Sequence, residues 1–163
     1  MLTVGKLVAT MPGERDLAIT REFAAPRSLV FDCWTQPALL KRWLFGADGW
    51  SLATCDIDLR AGGAYRFVWH GPGGIVMGMG GTYREVVPPE RLANTQRFDQ
   101  DWTGGEVLGT LVLAERDGRT TTVNTLVYPS RLARDGALQT GMLMGMEMGH
   151  ARVDALLAAM PAR

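Results

Sequence analysis

Three runs decide the fold: WTQPALLKRWLF at 34–45, CDIDLRAGGAYRFVW at 55–69 and GTYREVVPPERL at 81–92. The first places Trp34, Leu39, Leu40, Trp43 and Leu44 at helical spacing around Pro37, a residue suited to a first helical turn because its missing N–H costs nothing there. Trp50–Leu59 reads as a strand entering the second run, which after the turn Ala61-Gly62-Gly63 sets Tyr65, Phe67 and Trp69 against Arg66, Val68 and His70, the period-two alternation of a half-buried strand. The third runs a long strand, beginning near Ile75, into the turn Pro88-Pro89-Glu90, and glycines at 78, 80 and 81 allow it to bend or bulge.

Outward from that stretch, Asp16–Phe23 alternates Leu17, Ile19 and Arg21 against Ala18, Thr20 and Glu22, which predicts a first strand. Pro26 opens a helix carrying Leu29, Val30, Cys33 and Trp34 on one face. After residue 88 the pattern predicts a strand over 91–98, then a hairpin of 106–115 and 119–128 around Asp117-Gly118. From Ser130, a suitable N-cap, to Met160 the period becomes helical, with Asp135-Gly136 interrupting or delaying the main helix. Met142, Met146, Gly149, Val153, Leu156 and Met160 form its apolar stripe. The expected architecture is α+β: a curved antiparallel sheet of about six or seven strands around a long C-terminal helix, with two short helices after the first strand.

The 163 residues suit one domain, assigned to 16–163, and 1–15 read as an N-terminal extension. Seventeen basic residues balance seventeen acidic ones, so nothing points to a nucleic-acid partner. No apolar run is long enough for a membrane span or a secretory signal. Cys33 and Cys55 are too few for a disulfide framework, and two reduced thiols in a cytoplasmic protein is the simpler expectation. HExxH, paired CxxC, GxxxxGK[ST] and GxSxG are all missing, and two His and two Cys scattered along the chain give no metal-ligand spacing, so no cofactor or metal is expected.

The order of elements resembles the helix-grip fold of the START-like (SRPBCC) superfamily. Within it, Phe23-Ala24-Ala25-Pro26, Trp34-Thr35-Gln36-Pro37, Arg42-Trp43, Asp58-Leu59-Arg60, Gly62-Gly63, Tyr83-Arg84-Glu85 and Val87–Leu92 are similar to the family named after the activator of the heat-shock-protein ATPase. Gly141-Met142, Gly145-Met146 and Leu156 extend the likeness, which spans about residues 16–160. It implies ligand carriers, lyases, cyclases and proteins of other roles on one scaffold. The name also implies a chaperone partner, but the eukaryotic co-chaperones carry an additional N-terminal domain, and about fifteen residues precede the first strand here.

Trp34, Trp43, Tyr65, Phe67 and Trp69 supply broad rigid surface that can stack a flat ligand or simply fill a core. Met77, Met79, Met142 and Met146 are flexible thioethers suited to a deformable pocket wall, or equally to core filling. With Met144 and Met148 the helix carries four methionines in alternate positions that cannot all share one face, so at least one points away, Met144 or Met148 lying exposed or at a subunit contact. Gly141, Gly145 and Gly149 fall four apart, each costing about 1 kcal/mol in a helix interior, which tight helix–sheet packing offsets more simply than ligand access does. His150 is a candidate proton donor or acceptor, although its spacing implies no second partner and a structural role is the simpler one. Glu85 shares strand parity with Met77, Met79 and Tyr83 and faces inward unless a bulge shifts the register. These residues are the candidate site for a small hydrophobic or aromatic molecule bound between sheet and helix. The alternatives are an enzyme (hydrolase, lyase or cyclase) working in the same hollow, or a chaperone-associated interaction protein. A homodimer is compatible with so small a domain, but the pattern specifies no interface.

Overall fold

The structure is a computed structural model that describes residues 1–101 and 104–161, so the last two positions of the expected 16–163 domain lie outside the described residues. Nine strands form one antiparallel sheet: β1 (Leu2–Val4), β2 (Leu7–Thr10), β3 (Asp16–Phe23), β4 (Ser51–Ile57), β5 (Ala64–His70), β6 (Val76–Val87), β7 (Arg91–Phe98), β8 (Val107–Arg116) and β9 (Arg119–Val127). Their order across the sheet is β1-β2-β3-β9-β8-β7-β6-β5-β4. The helices are α1 (Arg27–Thr35), α2 (Pro37–Leu40), α3 (Arg131–Leu138) and α4 (Met142–Ala159).

The sheet therefore has nine strands, not six or seven. Both additional strands come from the segment read from sequence as an extension: Leu2–Val4 and Leu7–Thr10 form a hairpin whose second arm pairs with β3, Val8 opposite Thr20 and Thr10 opposite Ala18. Three- and four-residue strands carry too little alternation to register by pattern; the edge of β3 supplies their hydrogen-bond partners, and Leu7 and Ala9 are completely buried as a result.

A second correction concerns the C-terminal helices. Asp135-Gly136 does not interrupt anything; it lies inside α3, which starts where Ser130 Oγ accepts the Ala133 N–H at 3.0 Å. The break comes at Gly141, whose φ of 80° only glycine adopts without strain, and α4 begins on the next residue.

Buried side chains fall into two groups. One gathers Phe23, Val30, Cys33, Leu40, Trp43, Leu113 and Val153 under α1 and α2. The other holds Leu7, Leu17, Ile19, Val107, Leu126 and Tyr128 beneath α3 and the start of α4. Helix α4 spans both, resting on the second through Leu143 and on the first through Val153, Leu156 and Leu157. Between these two supports α4 is tied to β3 through Glu147, which binds Arg21 at 3.0 Å.

Candidate functional site

The side chains on the inner face of α4 leave part of the space between helix and sheet unfilled. That space is a hollow of about 460 Å³ under Met142, Gly145, Met146, Gly149 and His150 of α4, facing the inner surface of β5–β9. The exposed members of its lining, Gly46, Ala47 and Gly145, mark its mouth between the loop after α2 and the middle of α4.

Three glycines at equal spacing do three different things here. Gly141 supplies the left-handed turn before the helix. A Cβ on Gly145 would meet nothing within 4 Å, so this position keeps the mouth open. On Gly149 a Cβ would lie 3.3 Å from Trp43 Cε3 and 3.5 Å from the Trp43 carbonyl oxygen, so the helix backbone packs closely on that indole. The close approach is therefore to the segment after α2, where the sequence suggests the sheet.

Aromatic rings and thioethers make up most of the wall. Trp34 and Trp43 meet at a tilt of 52° with centroids 4.7 Å apart, and Phe67 meets Trp69 edge-on at 6.0 Å. Two indole N–H groups are satisfied within the protein, Trp43 Nε1 donating to the Cys33 carbonyl at 2.8 Å and Trp69 Nε1 to that of Leu44 at 2.7 Å. With the polar edges so occupied, what these two tryptophans offer the hollow is apolar surface. Met77 and Met79 of β6 line the same wall, and Met142 and Met146 lie across from them, whereas Met144 and Met148 point to solvent at 66% and 44% exposure.

Of the eleven candidate residues, two lie elsewhere. Tyr65 is in the core, its hydroxyl donating to the Thr95 carbonyl at 2.6 Å, and burial raises its pKa. Glu85 is turned outward because the β6–β7 register shifts between Tyr83 and Glu85; its carboxylate is exposed and accepts from Arg91 Nε at 2.8 Å. The bulge sits at Arg84 and not at the glycines, where the sequence suggested one.

His150 is buried among rings, edge-on to Phe23 at 5.6 Å and tilted to Trp34 at 5.7 Å, and its Nδ1 has no hydrogen-bond partner. Burial is the main cause that pushes its pKa down to about 4, with Arg21 adding to the effect and Glu147 and Asp154 opposing it. The imidazole at the hollow is neutral at physiological pH.

Several residues of the site carry no clear sequence signal. Asn94 and Gln96 of β7 and Asn124 of β9 line the hollow with carboxamides, and Gln96 Nε2 donates to Asn94 Oδ1 at 3.1 Å. Opposite them on β8 lies Gly109, where a Cβ would sit 2.4 Å from Gln96 Nε2 and 2.7 Å from Asn94 Oδ1, so the amide pair occupies space that a larger residue would make its side-chain ends vacate. Arg21 is the other surprise. Its side chain is 1% exposed on β3, yet it carries a full charge, held by Glu147 and Asp154 at 3.0 and 2.8 Å on α4. These contacts raise the guanidinium pKa against the opposing pull of desolvation.

No Asp, Glu, Lys or Arg appears among the described residues lining the hollow. Among the described residues no three His, Cys, Asp or Glu side chains converge as metal ligands, and no helix is long and apolar enough to cross a membrane.

With this geometry in hand, the chain can be set beside known proteins. Residues 24–158 match the family model described as Activator of Hsp90 ATPase homolog 1-like protein. A crystal structure from Rhodobacter sphaeroides is 34% identical, with 94% of this chain and 99% of that one covered at a TM-score of 0.89. One from Nitrosomonas europaea is 25% identical, covering 91% and 97% at a TM-score of 0.79. A Mycobacterium smegmatis structure, 23% identical with 94% and 99% covered and a TM-score of 0.77, shares the fold. No curated protein matches the sequence.

Proposed function

The chain belongs to the family of Activator of Hsp90 ATPase homolog 1-like proteins, and on that premise we propose that it binds a small hydrophobic or aromatic molecule, without covalent chemistry, in the hollow between sheet and α4. One observation carries this reading: about 460 Å³ of space with an opening, walled by indoles, phenyl rings and thioethers and by no formal charge. Small-molecule sites run from roughly 300 to 1,000 Å³ and combine mostly apolar walls with a few placed polar groups. A guest that loses roughly 200 Å² of apolar surface gains about 5 kcal/mol before association costs are subtracted. Met77, Met79, Met142 and Met146 let the wall adapt to the guest's outline.

Thermal-shift screening of the protein and of Gly145→Leu with a panel of flat, uncharged aromatics tests this. The variant adds a side chain where a Cβ meets open space, so the helix tolerates it while the mouth fills. Melting-temperature increases in the wild type that vanish in Gly145→Leu support binding in the hollow. Equal shifts in both proteins, or none in either, overturn it.

A further inference from the structure

We infer that the guest is an uncharged, flat molecule with a hydrogen-bond donor and acceptor side by side on one edge, as in a lactam or carboxamide, and that Asn94 and Gln96 read that edge. The inference rests on the binding reading above and narrows it to a chemical class.

Three features of the hollow point there. Among the described residues its lining holds no ionised side chain, so an ionic guest would shed its water with no counter-charge to meet it. Second, Asn94 and Gln96 lie on the same inward face of β7 as Leu92 and Phe98, where further apolar residues would pack well. Carboxamides in such a wall are costly unless something bonds to them. Third, Gly109 clears space for both, since any larger residue would put a Cβ into the pair.

The bond between the two side chains sets what they offer. Gln96 Nε2 donates to Asn94 Oδ1, which uses one donor and one acceptor. That leaves both Asn94 N–H groups and the second Gln96 N–H as donors, and the Gln96 carbonyl oxygen with a second lone pair on Asn94 Oδ1 as acceptors, so the pair still offers a donor and an acceptor to a guest. A lactam or primary amide presents the complementary acceptor and donor on neighbouring atoms. Its ring would lie against the walls formed by Trp34, Trp43 and Trp69, which favours a flat guest over a globular one.

Isothermal titration of the intact protein with three bicyclic probes of similar size tests this: carbostyril, a neutral lactam; naphthalene, which has no polar edge; and naphthoate, which carries a charge. Carbostyril should bind about tenfold tighter than naphthalene, equivalent to about 1.4 kcal/mol, and naphthoate weakest of all. In Asn94→Leu/Gln96→Leu the preference for carbostyril should disappear while naphthalene still binds. The wild-type ranking needs no variant, so the test stands even if that double variant misfolds. Naphthalene binding as tightly as carbostyril, naphthoate binding tightest, or a lactam preference that survives in the folded double variant each overturns the inference and leaves the hollow as a binding site. Failure of all three probes to bind removes both.

Discussion

Arg21 on β3 donates to both carboxylate oxygens of Glu147 on α4, through Nε at 3.1 Å and Nη2 at 3.0 Å. Asp154, two turns further along the helix, takes the remaining face of the guanidinium at 2.8 and 2.9 Å, and the Lys6 backbone N–H adds a bond to Glu147 at 3.2 Å. Sheet, N-terminal hairpin and helix are thus tied at one buried charge. Glu147 sits between Met146 and Gly149, within the stretch of α4 that lines the hollow.

Removing one partner of a buried ion pair costs about 3–5 kcal/mol because the other charge is left uncompensated. Arg21→Leu should therefore lower unfolding stability by about 3 kcal/mol, the low end because Glu147 and Asp154 keep some solvent contact. Arg21→Leu/Glu147→Leu should recover part of that loss, since the more buried of the two stranded carboxylates is gone as well. Urea unfolding measures both. A single variant within about 0.5 kcal/mol of wild type, the scatter of ordinary surface substitutions, would show that the tie contributes little.

The clamp also illustrates what the sequence can and cannot tell. Alternation alone places Arg21 on the same face as Leu17 and Ile19, and that face is the buried one. Its meaning depends on Glu147 and Asp154, more than 120 residues away, which only the tertiary structure brings to it. Strand periodicity and the Asp117-Gly118 turn made seven of the nine strands legible, while β1 and β2 need the edge of β3 to exist as strands. Nine of the eleven candidate residues line the hollow, most of them from inward strand positions or an inner helix face and Trp43 from the turn after α2. Tyr65 obeys the same parity but fills core, and Glu85 is reversed by a one-residue bulge that no glycine announces. Asn94, Gln96 and Asn124 escape notice because polar residues on a strand look like a solvated face.

His150 gives the protein an acid-sensitive stability. Its pKa falls from the ordinary 6.5 to about 4 on folding. As pH drops below 6.5 the unfolded chain takes up a proton that the folded chain refuses, so stability declines until pH 4 and then stops changing on this account. The whole loss is roughly 3 kcal/mol. Glu147 has the same sign in a lower window: Arg21 and the Lys6 N–H outweigh its desolvation and hold it below the ordinary 4.5, so its contribution is present above that value and is lost as pH falls through its folded pKa. Denaturant midpoints between pH 7 and 4.5 should fall in the wild type and stay nearly level in His150→Phe. Parallel curves for the two proteins would assign the acid sensitivity elsewhere.

Both thiols should be inert in the native state. Cys33 and Cys55 are unbridged and buried, and burial pushes each pKa up to about 11, with the nearby carboxylates of Asp32 and Asp56 adding to the rise. The thiolate is the reacting species, so alkylation at pH 7.5 should wait for the protein to open. Iodoacetamide labelling followed by mass spectrometry should show two modifications in urea and almost none without it. Rapid labelling of either cysteine in native buffer would mean that its cover opens locally.

The two helical glycines over the hollow should respond to alanine in opposite ways. Alanine gains about 1 kcal/mol over glycine in a helix interior. At Gly145 the new methyl meets open space, so Gly145→Ala should realise most of that gain and raise the melting temperature. At Gly149 the methyl would press on Trp43, an indole whose position is fixed by its bond to the Cys33 carbonyl and by its contact with Trp34. Neither the ring nor the helix backbone yields cheaply, and overpacking of this kind costs about 1–3 kcal/mol. Gly149→Ala should thus come out level or destabilised, and displacement of Trp43 should show as a change in near-ultraviolet circular dichroism. If Gly149→Ala proved as stabilising as Gly145→Ala with an unaltered spectrum, the helix would not be seated on Trp43 as described.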